Sequence, residues 1–255
     1  MLRTIWAALV IACFAGGAQA ADKAVYKETP SLQADVQKKA MPDVAARLPA
    51  EPLIVDLKAQ GRETGRHGGV VRMLMSKEKD VRLLNTWGYA RLVAWTPKLE
   101  LKPDLLKAVE VKDGRAFTFK LRAGHKWSDG RPFTSEDFRY FWEDVASNKE
   151  LSPSGPPVEL LNGGEAPIVE IVDATTVRYS WSKPNARFLA TLAQAREPYI
   201  YRPAHYLKQF HAKYAKAAEL AKKVAAGKAR SWAELHNRMD AIDDNDNPAM
   251  PTLQP

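Results

Sequence analysis

The chain has 255 residues, of which 45% are hydrophobic and 27% charged, with a net charge of +8. That balance is globular, and the length supports one large or two ordinary domains with a substantial core. A single cysteine excludes a disulfide framework within the chain. The basic balance comes without interleaved stacking aromatics, which argues against nucleic acid as a partner.

Residues 1–20, MLRTIWAALVIACFAGGAQA, read as a secretory signal peptide. Arg3 supplies the positive start, Ile5 to Ala15 the apolar run, and Ala18-Gln19-Ala20 the cleavage site, with the cut after Ala20. The apolar run is shorter than the roughly 20 residues that cross a bilayer. Val10-Ile11-Ala12-Cys13 offers an alternative, a lipid anchor on Cys13.

Residues 21–65 carry scattered prolines (Pro30, Pro42, Pro49, Pro52) and read as an extended arm wrapping a domain. The main domain is expected over 66–255. After Gly68-Gly69, the run Val70-Val71-Arg72-Met73-Leu74-Met75 predicts a buried strand. A hairpin follows. Val109 and Val111 alternate with charges, Asp113-Gly114 makes the turn, and Phe117, Phe119 and Leu121 alternate with Thr118, Lys120 and Arg122. Thr134 then predicts an N-cap with Asp137 in the capping-box position. Phe138, Phe141, Trp142 and Val145 form the apolar stripe of that helix.

Leu151 to Pro167 reads as a loop. Val169 and Ile171, a turn at Asp173-Ala174, and Val177, Tyr179 and Trp181 predict a second ribbon. Pro184 precedes a short helix bearing Phe188, Leu189 and Leu192. One helix is expected from Tyr206 to about Ala226, its lysines forming a solvated face, and another from Trp232 to Met239. The tail from Asp240 has no apolar period. The alternation of strands and helices implies a mixed α/β domain.

The templates of catalysis fail on inspection. There is no G-x-S-x-G elbow, and Gly61-Arg62-Glu63-Thr64-Gly65 lacks the Gly-Lys-Ser/Thr of a phosphate-binding loop. His67, His125, His205, His211 and His236 are scattered, and read as surface or capping residues rather than metal ligands. Asp243-Asp244-Asn245-Asp246-Asn247 lacks the Gly and Glu that a calcium loop needs at its sixth and twelfth positions. Asp129 with Glu136, and Glu143 with Asp144, read as turn, cap and surface carboxylates. No catalytic residue, metal site or cofactor is therefore assigned.

The run AFTFKLRAGHKWSDGRPFTSEDFRYFWEDV resembles the bacterial extracellular solute-binding proteins of family 5, the oligopeptide-, dipeptide- and nickel-type binding components of ABC importers. The resemblance rests on Phe117-Thr118-Phe119, Leu121-Arg122-Ala123-Gly124, Lys126-Trp127, Ser128-Asp129-Gly130, Pro132-Phe133-Thr134 and Glu136-Asp137, in that order. Gly68-Gly69-Val70-Val71-Arg72, Leu101 to Leu106, Val172 to Val177 and Pro203 to Leu207 extend it. It implies an α/β periplasmic-binding-protein-like fold of type II, here incomplete: part of the first lobe plus an inserted N-terminal subdomain. It further implies a periplasmic monomer that is not an enzyme. Such a protein captures peptides or other small solutes and delivers them to an ABC permease in the inner membrane. Asn85, Trp87 and Tyr89, following the Val70 strand, are the candidate ligand contacts by analogy, with ordinary packing the competing role. A fragment acting as a periplasmic interaction partner or holdase is the alternative function.

Overall fold

A computed structural model describes residues 26–77, 80, 90–195, 198–241 and 249–253. The expected signal peptide with Ala20 and Cys13, the ligand candidates Asn85, Trp87 and Tyr89, and the acidic run 243–247 lie outside them.

Two sheets form. Strands β1 (Val93–Trp95) and β2 (Leu101–Pro103) make a small ribbon. The main sheet contains β3 (Leu106–Lys112), β4 (Ala116–Leu121), β5 (Ile168–Asp173) and β6 (Thr176–Ser180). Its order is β3-β4-β6-β5, with every neighbouring pair antiparallel. The two expected hairpins are therefore present, and they join through β4 and β6. Asp113 and Gly114 both adopt positive φ, 54° and 63°. Arg115 N–H donates back to the Lys112 carbonyl at 3.1 Å. Two consecutive left-handed residues match the right-handed twist of a strand pair, which is why an Asp-Gly turn serves here.

Register decides which face is dry. Phe117 lies opposite Val111 and Tyr179, and Phe119 opposite Val109 and Val177. Partners across an antiparallel ladder share a face, so these residues form one apolar layer. The other face carries Glu110, Thr118, Lys120, Glu170 and Arg178. There Lys120 pairs with Glu110, and Arg178 reaches Glu170 at 3.4 Å. A sheet built this way needs a cover on one side alone.

Helix α4 (Phe188–Leu192) supplies the centre of that cover. The Phe188 ring stacks on Phe119 at 5.7 Å and meets Phe117, Tyr179 and Trp181 at 5.1, 5.5 and 4.8 Å. Trp181 donates its indole N–H to the Leu160 carbonyl at 3.2 Å, so its polar edge is also satisfied. The remaining helices are α1 (Gln33–Gln37), α2 (Val44–Arg47), α3 (Ser135–Arg139), α5 (Ala204–Leu207), α6 (Ala217–Ala226) and α7 (Trp232–Met239). Residues 46–51 lie against the end of the main sheet. Ala50 N–H donates to Ala123 O at 3.0 Å, and Lys107 pairs with Glu51 at 2.5 Å.

Three sequence expectations need correction. Val70 to Met75 is not a buried strand: Val70, Val71 and Leu74 are 82%, 87% and 104% exposed. Among the described residues no backbone hydrogen bond ties this run to another strand, and an isolated strand has no ladder to hold it. The helix expected from Tyr206 to Ala226 is broken. After α5 the chain makes a single tighter turn (Lys208–Phe210) and a bend before α6 begins. That break turns His211 inward, where it is 3% exposed. The surface reading fails for three of the five histidines, since His125 and His236 are buried as well, while His67 and His205 are exposed. Within the tail, Met250 and Leu253 are buried, and Ser128 N–H donates to Thr252 O at 2.8 Å.

Candidate functional site

The family-like run folds as a unit around one carboxylate. Its tight turn comes first. Gly130 has φ 83°, its N–H donates to Trp127 O at 2.8 Å, and the Asp129 side chain accepts from Arg131 N–H at 3.0 Å. The turn folds Trp127 back over Phe133, and the rings meet edge-on at 5.5 Å. Thr134 is extended and caps α3, accepting from Glu136 N–H at 3.3 Å. The expected capping box is complete, because Asp137 accepts from Thr134 N–H at 2.9 Å.

Asp137 does more than cap. Its second oxygen accepts from Ala204 N–H at 3.0 Å, at the start of α5, and Trp127 donates its indole N–H at 3.2 Å. One buried carboxylate thus joins the turn, the helix start and the chain entering α5. Burial pushes its pKa up to about 6, against the pull of these three N–H donors. Around it Phe133, Phe138 and Tyr201 pack within 5.3 to 5.6 Å of one another.

Beyond Arg139 the helix widens into a π-helical stretch, Tyr140–Ala146. The expected stripe is largely present, with Phe138, Phe141 and Val145 buried and Trp142 partly so. The wider turn also brings Tyr140 and Asp144 inside. Asp144 accepts from Lys213 at 2.7 Å, Tyr214 at 2.5 Å and Arg139 at 3.0 Å. Burial alone would raise its carboxyl, but these hydrogen bonds outweigh burial and hold it below the ordinary value. Tyr140 O–H lies 2.7 Å from His236 Nε2. His236 stands at i+4 from Trp232, on the inner stripe of α7, and that spacing was the one sequence signal of its burial.

The carboxylates considered for acid/base work are engaged with basic side chains instead. Asp129 meets His205 at 2.8 Å, Glu136 meets Arg139 and Lys208 at 2.7 and 2.6 Å, and Glu143 meets Arg139 at 2.7 Å. Among the described residues no group of three His, Cys, Asp or Glu side chains is placed to hold a metal ion. A depression beside the Asp113-Gly114 turn, lined by Lys112, Arg115, Thr118, Arg178, Ser180 and Trp181 among others, is partly open and as polar as it is apolar, unlike the mostly apolar sites that bury small ligands. The arrangement around Asp137 positions elements: it ties the Trp127 turn, the start of α3 and the entry to α5 together.

The model of the bacterial extracellular solute-binding proteins, family 5 Middle, matches residues 100–232, just over half of the chain and the whole main sheet. The periplasmic alpha-galactoside-binding protein of Rhizobium meliloti (strain 1021) is 29% identical over 69% of this chain and 28% of its own length. The periplasmic murein peptide-binding protein MppA of Escherichia coli (strain K12) is 34% identical over 36% of this chain and 20% of its own. The solved structure of an oligopeptide-binding protein OppA superposes with a TM-score of 0.78 at 33% identity, covering 93% of this chain and 36% of that one. The chain thus spans about a third or less of the length of these relatives. Its mixed α/β architecture is that of the periplasmic binding proteins, and the chain belongs to the bacterial extracellular solute-binding proteins of family 5.

Proposed function

We propose that the chain serves as a substrate-binding component of an ABC importer, capturing peptides or similar small solutes in the periplasm and delivering them to an inner-membrane permease. The observation that carries this reading is the likeness to the oligopeptide-binding protein across 93% of the chain at 33% identity. A peptide class is favoured over a galactoside one because that likeness covers more of the chain at higher identity than the alpha-galactoside-binding relative does. Capture works by closure: the closed form touches solute from both lobes, so solute shifts the population toward it. In this scheme residues 1–20 direct export, 21–65 wrap the domain, and 66–255 form part of the first lobe with its inserted subdomain.

Asn85, Trp87 and Tyr89 remain the proposed solute contacts. Replacing Trp87 by Ala is expected to weaken peptide binding about tenfold, a loss of about 1.4 kcal/mol, while leaving the melting temperature nearly unchanged. Titration calorimetry with tri- and tetrapeptides, beside a melting curve, checks both halves. A large fall in melting temperature with unaltered affinity would make Trp87 a packing residue.

A second reading is a periplasmic interaction fragment that holds other chains. The exposed run Val70, Val71 and Leu74 favours it, since apolar strand-like segments attract partners. That reading expects suppression of aggregation of an unfolded client, with no saturable peptide site.

A further inference from the structure

Helices α6 and α7 pack on the rest of the molecule through apolar side chains, Ala233 and Leu235 in the core with Val224, Trp232 and Met239 against it. Beside these lies a small polar seam centred on two buried histidines. His211 is 3% exposed and His236 fully buried, and their rings lie 5.7 Å apart, nearly perpendicular. Trp232 stacks obliquely on His211 at 4.8 Å, and Tyr140 flanks both histidines at 6.0 and 6.2 Å. The seam therefore brings together the bend before α6, the face of α7 and the π-helical turn.

The hydrogen bonds of His211 fix its charge state by geometry. Its Nδ1 lies 3.0 Å from the Lys213 backbone nitrogen, which can only donate. Its Nε2 lies 3.0 Å from the Asp144 carbonyl, which can only accept. The ring must carry one proton, on Nε2, and keep Nδ1 bare. A second proton at Nδ1 would set two donors against each other. His236 has no solvent to stabilise a charge, and its Nε2 is already taken by the Tyr140 hydroxyl.

The charged neighbours do little to compensate a proton on either ring. Beside His236, Asp240 is held by Arg202 at 2.6 and 2.8 Å, and the Arg202 cation itself disfavours a second positive charge. Beside His211, Asp144 is taken up by Lys213, Tyr214 and Arg139, and Glu150 accepts from the Trp232 indole at 3.0 Å. Lys213 adds a further like charge.

We propose that His211 and His236 form an acid-sensitive latch: uncharged, they clamp α6 and α7 against the π-helical turn, and protonation releases that helical pair while the main sheet stays folded. Burial pushes the pKa of both rings down, that of His236 to about 4, so each protonates far more readily once released. The linkage then runs one way: docking is strongest above the ordinary histidine value near 6.5, and weakens as pH falls below it. The other groups do not mask this. The Asp144 carboxyl titrates below the window, and Asp137 sits in the capping box outside the seam.

Hydrogen exchange followed by mass spectrometry on the whole chain tests the latch, with rates corrected for the intrinsic effect of pH. Between pH 7 and pH 5 the opening constant of peptides across 213–240 is expected to rise on the order of tenfold per histidine. Peptides of β3 and β4 should keep their protection. The variants His211→Gln and His236→Gln should each flatten part of the response. Should neither fold, NMR titration of the histidine rings in the unaltered chain gives the answer: His236 must stay neutral at pH 5.5 wherever α7 remains docked. Uniform loss of protection across the sheet and helices together would overturn the latch. So would a His236 ring that titrates near 6.5 without release of α7.

Discussion

Replacing Asp137 by Ala is expected to destabilise the fold by about 4 kcal/mol, enough to leave much of the chain unfolded at 37 °C. The change strands three donors in the interior: the N–H groups of Thr134 and Ala204 and the indole N–H of Trp127. Each unsatisfied buried group costs roughly 1–3 kcal/mol, so the loss exceeds that of an ordinary helix cap, at about 1 kcal/mol. Urea denaturation followed by Trp fluorescence measures it, and a cost near 1 kcal/mol would reduce Asp137 to a simple cap. Asp137→Asn supplies the complementary pH test. The native carboxyl titrates near 6 and the unfolded one near 3.8, so the folded protein binds the extra proton first. Its contribution to stability is fully present below the unfolded value and is lost as pH rises through about 6. The stability difference between the native chain and Asp137→Asn should therefore shift in favour of the native chain on acidification, by about 1.4 kcal/mol per pH unit within that window.

Phe188→Ala carries the second large effect, a loss of about 3–5 kcal/mol by the usual cost of emptying an aromatic site in a core. The ring is fully buried and touches four other aromatic rings, two from β4 and two from β6 and its end. Because the opposite face of the sheet is polar, no second layer limits the damage. Phe188→Leu keeps most of the volume and should recover at least half of the loss. Thermal or urea unfolding compares the two variants, and equal stabilities would mean that the site collapses freely and holds no special place in the core.

These two residues differ in how far the sequence announced them. The capping box around Asp137 was legible, because Thr134 and Asp137 stand at the spacing that local backbone geometry demands. Its links to Trp127 and Ala204 were not, since they cross 10 and 67 residues of sequence. Both hairpins were legible for the same local reason: strict alternation fixes the face, and Asp113-Gly114 fixes the turn. Val70 to Met75 read as a strand from composition, but a strand exists through its partner, and composition says nothing about whether one is present. The lysine- and alanine-rich run 206–226 read as continuous helix. Tertiary burial of His211 outweighed that weak propensity and bent the chain. The π-helical turn left no mark in the periodicity, since one extra residue per turn keeps Phe138, Phe141 and Val145 on the inner face while adding Tyr140 and Asp144.

The family assignment and the structural unit around Asp137 account for the order of turn, cap and stripe as an architectural device. The proposed capture of a solute rests on solute binding itself. Thermal-shift titration of the purified chain against a pool of di- to pentapeptides, with galactosides as the second arm, measures that claim directly. Capture predicts a saturable rise in melting temperature for peptides, corresponding to about 2.7 kcal/mol when free peptide reaches 100 times its dissociation constant. The galactoside arm should show a smaller rise or none. A melting temperature unmoved by any member of either arm at millimolar concentration would contradict autonomous solute capture and leave the interaction-fragment reading in its place.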